Sequence, residues 1–165
     1  MNPLSRFPFS NCWRSTTASV LGMALLFVAV GMTAATLVAL VDGVDALALA
    51  TATGITALLG AALFHVATPG SRDVAAIFNA VGATWVVASV LGALPYLLAG
   101  TFATVGRSWS VVLADALFES VSGFSTSGST VFGAHNLIEA QGAGILLYRQ
   151  LTQWAGGMGI VVLVV

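Results

Sequence analysis

The chain has 165 residues, of which 58% are hydrophobic and only 7% charged, and its mean hydropathy is +1.00. A soluble domain carries about 25% charged residues, so a soluble fold is excluded and an all-α integral membrane protein is expected. The net charge of −1, the scattered arginines without any lysine and the single cysteine, Cys12, exclude a basic nucleic-acid surface, an internal disulfide and a cysteine-rich metal site.

The opening MNPLSRFPFSNCWRSTT has the basic character of a signal-peptide n-region. The apolar run that follows, from about Ala18 to Val41, is too long for an h-region of ~7–15 residues. A retained first helix, from about Thr17 to Val41, is expected instead. Asp42, Gly43 and Asp45 form a short polar turn, and a second helix runs from about Val44 to Ala67. Pro69 and Gly70 break the chain in the connection Thr68–Asp73. A third helix spans about Val74 to Leu98, with Pro95 near its end, where a lost backbone bond is tolerable. Ala99–Ser110 reads as a loop. Val111 to about Gly123 reads as a helix of ~13 residues, too short to span a bilayer. Ser125–Thr130 is irregular, and Gly133–Gly142 is a polar loop carrying His135, Asn136, Glu139 and Gln141. A last helix starts near Ala143 and is still apolar at Val165, as a truncated helix would be.

Arg6, Arg14 and Arg72 fall on one side of the first two spans, and Asp42 and Asp45 on the other. The positive-inside rule then places the N-terminus in the cytoplasm and the Ala99–Ser110 loop outside. The short helix must dip in from the outside and return. Residues 1–70 form an N-terminal two-helix transmembrane hairpin. Residues 71–165 form one membrane–pore-helix–membrane repeat with a re-entrant filter loop.

Small hydroxyl residues around glycine at membrane depth must be enclosed by protein or line a watery path, because lipid cannot satisfy irregular backbone. The C-terminal end of an inward-dipping helix carries partial negative charge. Ser125, Thr126, Ser127, Gly128 and Ser129 can then replace an ion's hydration shell with carbonyls and hydroxyls. Gly128 is the candidate for a backbone angle that side chains forbid, and Gly123 for the break out of the helix. Ser/Thr/Gly patches also occur where helices pack closely, so a packing role stands beside the ion path. A buried carboxylate at Glu119 either adds negative potential or bonds to backbone behind the filter. Asp115, earlier in the same helix, complements its dipole.

DALFESVSGFSTSGST, followed by LLYRQLTQWAGGMGIVVLVV, resembles the first pore repeat of the Trk/Ktr/HKT superfamily of potassium transporters. The similarity is greatest to bacterial membrane subunits of the TrkH/TrkG type. GALPYLLAG, Gly92–Gly100, resembles the end of the first helix of that repeat. The resemblance covers about Val74–Val165, and the leading hairpin fits the extra N-terminal pair of TrkH-like proteins. It implies a bacterial inner-membrane, multi-pass potassium uptake protein with four repeats around one pore. The ion, K+, is bound at Thr126, Ser127 and Gly128; it is transported cargo, and no covalent cofactor is implied. Family filters are more often threonine-rich, where this chain has Ser125 and Ser127. The resemblance further implies a cytoplasmic TrkA-like nucleotide-binding regulatory subunit. One repeat of four is present, so the missing repeats or other subunits are also expected partners, along with membrane lipid. The alternative is a non-transporting packing or assembly subunit, or an inactive truncated fragment.

Arg149 is expected to anchor at the interface or to pair with Glu139 or Glu119. Trp154, Gly156, Gly157 and Gly159 are expected to let the last helix approach the pore helix. Asn79 is expected to bond between helices. His65, Trp85, Trp109 and Tyr148 need no functional account. No catalytic constellation or phosphate loop is present, and no enzyme activity is expected.

Overall fold

The computed structural model describes residues 17–67, 74–104, 106–133 and 136–164. Arg6, Arg14, Arg72, Cys12, His135 and the Thr68–Asp73 connection lie outside them. The described residues form helices and connecting loops; the single extended pairing is an isolated bridge between Gly133 and Asn136. The elements are α1 (Ala18–Asp42), α2 (Ala46–Val66), α3 (Val74–Gly92), α4 (Leu94–Leu98), α5 (Trp109–Phe124), a 3-10 turn (Ile138–Ala140) and α6 (Ala143–Val164). Three stretches are long and apolar enough to cross a membrane: Ala18–Asp42, Ala46–Val66 and Ile77–Leu98. The chain is an all-α, multi-pass membrane protein.

α1 and α2 form a tight antiparallel hairpin. The buried positions of α1 are heptad-spaced, with small residues at Gly22, Ala29, Thr36 and Ala39 alternating with Leu25 and Met32. They face Leu49, Ala52, Thr56 and Gly60 of α2. Small side chains let two backbones approach where lipid offers no hydrophobic drive. A Cβ on Gly22 would come within 2.6 Å of Phe64 N and 2.8 Å of Gly60 O. Thr36 and Thr53 hydroxyls meet at 3.1 Å across the seam. The turn closes with Gly43 at φ 75° and Asp45 at φ 59°.

α3 does not run unbroken to Leu98. Pro95 lacks an N–H and its ring crowds the preceding turn, so the helix interrupts at Ala93 and restarts as α4 with proline in its first turn. The interruption frees the Gly92 carbonyl, which accepts the Tyr148 hydroxyl of α6 at 2.8 Å. Tyr148 is therefore an inter-helix bond donor in the core. Around it, Tyr96, Phe102, Ala116, Met32, Leu49 and Ile145 form one apolar cluster linking the hairpin to α4, α5 and α6.

α6 begins against the hairpin turn. The Asp42 carboxylate accepts the Ala143 N–H at 2.9 Å, so the acid that ends α1 also caps α6. Nothing in the local sequence around Ala143 announces that partner. Asn79 sits on the exposed face of α3. Trp154 stacks on Phe27 of α1, with ring centroids 5.9 Å apart.

Candidate functional site

α5 has 16 residues, about one turn longer than the sequence reading gives. At 1.5 Å per residue it reaches ~24 Å, still short of a ~30 Å hydrocarbon core. Its buried stripe, Val112, Ala116, Glu119, Ser120 and Gly123, repeats at helical spacing and turns inward. The helix is held at its C-terminal half by close contacts with α3 and α6. The Ser120 hydroxyl donates to Ser89 O at 2.7 Å. A Cβ on Gly92 would lie 2.5 Å from both Ser120 Oγ and Phe124 Cε2. On the other flank, a Cβ on Gly123 would strike Thr152, and one on Gly156 would strike the Phe124 carbonyl.

Two expectations change here. Gly123 does not break the helix, which continues through Phe124; its missing side chain admits Thr152 of α6. The glycines of α6 divide: Gly156 is needed for contact with α5, whereas Gly157 and Gly159 have room for a Cβ.

The helix ends at Phe124, and its cap closes through Thr126. The Thr126 N–H donates to Gly123 O at 3.0 Å and the Ser127 N–H to Ser122 O at 3.2 Å. With Thr126 at φ 57°, this is the paired closure of a Schellman cap, carrying threonine where glycine is usual. Sequence reasoning missed it because a β-branched residue at positive φ is an outlier. The cap also satisfies carbonyls of the last turn, so fewer are left unpaired at the helix end than the dipole argument supposes.

Residues 125–130 are all exposed and irregular. Gly128 lies at φ 70° with no heavy atom within 4 Å of a would-be Cβ, so its glycine meets a conformational need and no steric one. Among the described residues, the carbonyls of Thr126, Ser127 and Gly128 accept no hydrogen bond. The Ser129 carbonyl is taken by the Ser122 hydroxyl, which also meets Ser127 Oγ at 3.0 Å. Ser122 thus ties both sides of Gly128 to the helix. Nothing in the local pattern distinguishes Ser122 from the other serines of the motif.

Beyond Ser129 the chain runs back along α5. Glu119, 1% exposed, accepts the Val131 N–H at 3.1 Å and the Thr130 hydroxyl at 2.9 Å through Oε2. Its Oε1 pairs with Arg149 Nε of α6 at 2.5 Å. Arg149 is only 8% exposed, so it pairs inside the protein and does not reach for the interface. The returning chain then meets its own starting end: Asn136 Nδ2 donates to Thr101 O at 2.9 Å.

Asp115 lies outside this constellation. The first turn of α5 contains no acid, and Ser108 makes no side-chain cap. Asp115, one turn further on, pairs with Arg107 at the exposed end of the helix. Its direct partner is the Arg107 guanidinium.

The chain is similar to known proteins over most of its length. A family model described as TrkH, cation transport protein, matches residues 46–165. The Trk system potassium uptake protein TrkH of Halomonas elongata is 35% identical over 156 residues, 88% of this chain and 29% of that protein. The Escherichia coli (strain K12) protein of the same name is 43% identical over 82 residues, 49% of this chain and 15% of that protein. The Trk system potassium uptake protein TrkI of Halomonas elongata is 38% identical over 80 residues, 48% of this chain and 14% of that protein. The chain therefore spans less than a third of the length of these relatives. No solved structure matches it.

Proposed function

Because this chain belongs to the TrkH family of cation transport proteins, we propose that it supplies one wall of a potassium uptake pathway through the bacterial inner membrane. α5 enters the bilayer as a half-helix from the outer side and residues 125–131 return to that side. The N-terminus is cytoplasmic. K+ sheds part of its water against the carbonyls of Thr126, Ser127 and Gly128, with Ser125 and Ser129 flanking them. The remaining walls come from further repeats or other subunits. The membrane potential drives the inward step, at about 2.3 kcal/mol per charge per 100 mV. A cytoplasmic TrkA-like nucleotide-binding subunit regulates it. Residues 1–70 act as a supporting hairpin and 71–165 as the pore repeat.

One observation carries this reading. An exposed arm with three uncommitted carbonyls is pinned on both sides of a positive-φ glycine and returns to the end of the molecule it left. Such backbone is tolerated at membrane depth where it lines a cavity. Within this chain these residues are exposed.

The test is potassium-dependent growth of an uptake-deficient strain. The chain is expressed alone and grafted in place of the matching region of the Halomonas elongata relative. The graft should restore growth at low potassium, and Gly128→Asp should abolish it. A graft that reaches the membrane yet restores nothing favours a non-transporting assembly role. Undiminished growth with Gly128→Asp removes these carbonyls from the pathway.

A further inference from the structure

Arg149 lines no part of the exposed arm, yet one carboxylate connects it to that arm. Glu119 uses one oxygen for Arg149 on α6 and the other for the Thr130 hydroxyl and the Val131 N–H. All three partners are donors, and among the described residues the carboxylate is the acceptor they share. Both charged groups are buried. A buried ion pair contributes little as glue, because desolvation offsets its attraction. What it does supply is fixed direction: the planar guanidinium holds the carboxylate in one orientation, and the carboxylate holds the backbone two residues past Ser129. Ser122 holds the carbonyl of Ser129 itself. The segment Thr126–Gly128 is thus suspended between the helix cap and this double tether.

We infer that Glu119 and Arg149 are positioning residues for cation selectivity, setting the spacing of the carbonyls at Thr126–Gly128 from behind without touching the ion. This rests on the proposed ion path along the same arm. Arg149 also neutralises Glu119, so the carboxylate is not a source of negative potential for the cation. It acts through the backbone it holds.

Two readouts separate the tether from the ion path. In the 165-residue chain alone, Arg149→Gln should speed amide exchange at Val131 about tenfold while leaving α1 and α2 amides unchanged. In the graft, Arg149→Gln and Glu119→Gln should each lower the preference for K+ over Na+ about tenfold per unit of membrane protein, equivalent to roughly 1.4 kcal/mol. Arg149→Lys, which keeps the charge but not the planar fork, should recover part of it. A merely structural role would lower the amount of protein and leave the preference unchanged. Where a single variant does not fold, the neutral pair Glu119→Gln with Arg149→Met decides, and a preference equal to the parent's overturns the inference. Parent-like preference in both single variants, with Gly128→Asp still abolishing uptake, also overturns it and leaves the ion path standing. If Gly128→Asp has no effect, it is the ion path that fails, and accelerated exchange at Val131 still establishes the tether.

Discussion

At the scale of single residues, three glycines of similar appearance in the sequence meet different physical demands, and one of them meets none. Gly128 adopts φ 70° in open space. Gly156 has a Cβ direction already filled by the Phe124 carbonyl, and Gly157 has room. Substitution by alanine should therefore sort them. Gly128→Ala carries only the left-handed penalty, ~1–2 kcal/mol. Gly156→Ala must push α6 off the end of α5, a backbone displacement that costs about 1–3 kcal/mol or more. Gly157→Ala should be close to neutral. Unfolding of the purified chain in mixed micelles reads the order directly. A Gly156→Ala protein as stable as Gly157→Ala would show that the α5–α6 contact is looser than described. Glu119 was legible as important because a carboxylate in an apolar helix demands a partner. Its pairing is not legible, since Arg149 has two candidate acids, Glu139 and Glu119, and only packing brings Glu119 to it.

Elements are the scale at which remote acids take on local work. Asp42 closes α1, caps α6 and stands beside Asp45 in the hairpin turn. Partial burial and then the Asp42 charge raise the Asp45 pKa above its usual 3.8. A carboxyl with a raised folded-state pKa favours folding while protonated. Stability declines as pH rises through the carboxylate range and stays lower at neutral pH. Asp45 makes no side-chain cap bond, and asparagine tolerates positive φ. Asp45→Asn should therefore be slightly more stable than the parent at pH 7, with the advantage vanishing below about pH 4. Thermal unfolding at the two pH values measures this; an asparagine variant that is less stable at pH 7 contradicts it. At the same scale, α3 is shorter than its apolar run predicts. Pro95 interrupts the helix and begins a new one, and the carbonyl freed at Gly92 is satisfied by the Tyr148 hydroxyl arriving from α6.

For the whole molecule, the arrangement gathers several connections at one end. The α1–α2 turn meets the start of α6 through Asp42, and the loop after α4 meets the returning chain through Asn136 and Thr101. If that end lies on one face of the membrane, then Val44, Thr104 and Glu139, all exposed or turn-borne, share it. Single cysteines at these positions in a Cys12→Ser background should react with an impermeant thiol reagent from the same side of sealed vesicles. Labelling of Thr104 and Glu139 positions from opposite sides would mean that α5 and its arm cross the bilayer, and the returning path would be wrong.

Composition and periodicity alone determined that the chain lives in a membrane, where its helices fall, that one of them is too short to span, and that Ser125–Ser129 is irregular. These follow from local physics: apolar runs of sufficient length, glycine and proline as punctuation, and the intolerance of lipid for free backbone groups. The SGFSTSGST motif with QWAGGMG was also enough to indicate the family. Tertiary structure decided the rest. It gave Arg149 to Glu119, Asp42 to α6, Gly123 to Thr152 and the helix end to Thr126. Each of the first three joins residues at least 29 positions apart, and the fourth places a β-branched residue where propensity argues against it. A partner chosen by the meeting of distant backbones has no local signature, so only the packed helices could select it.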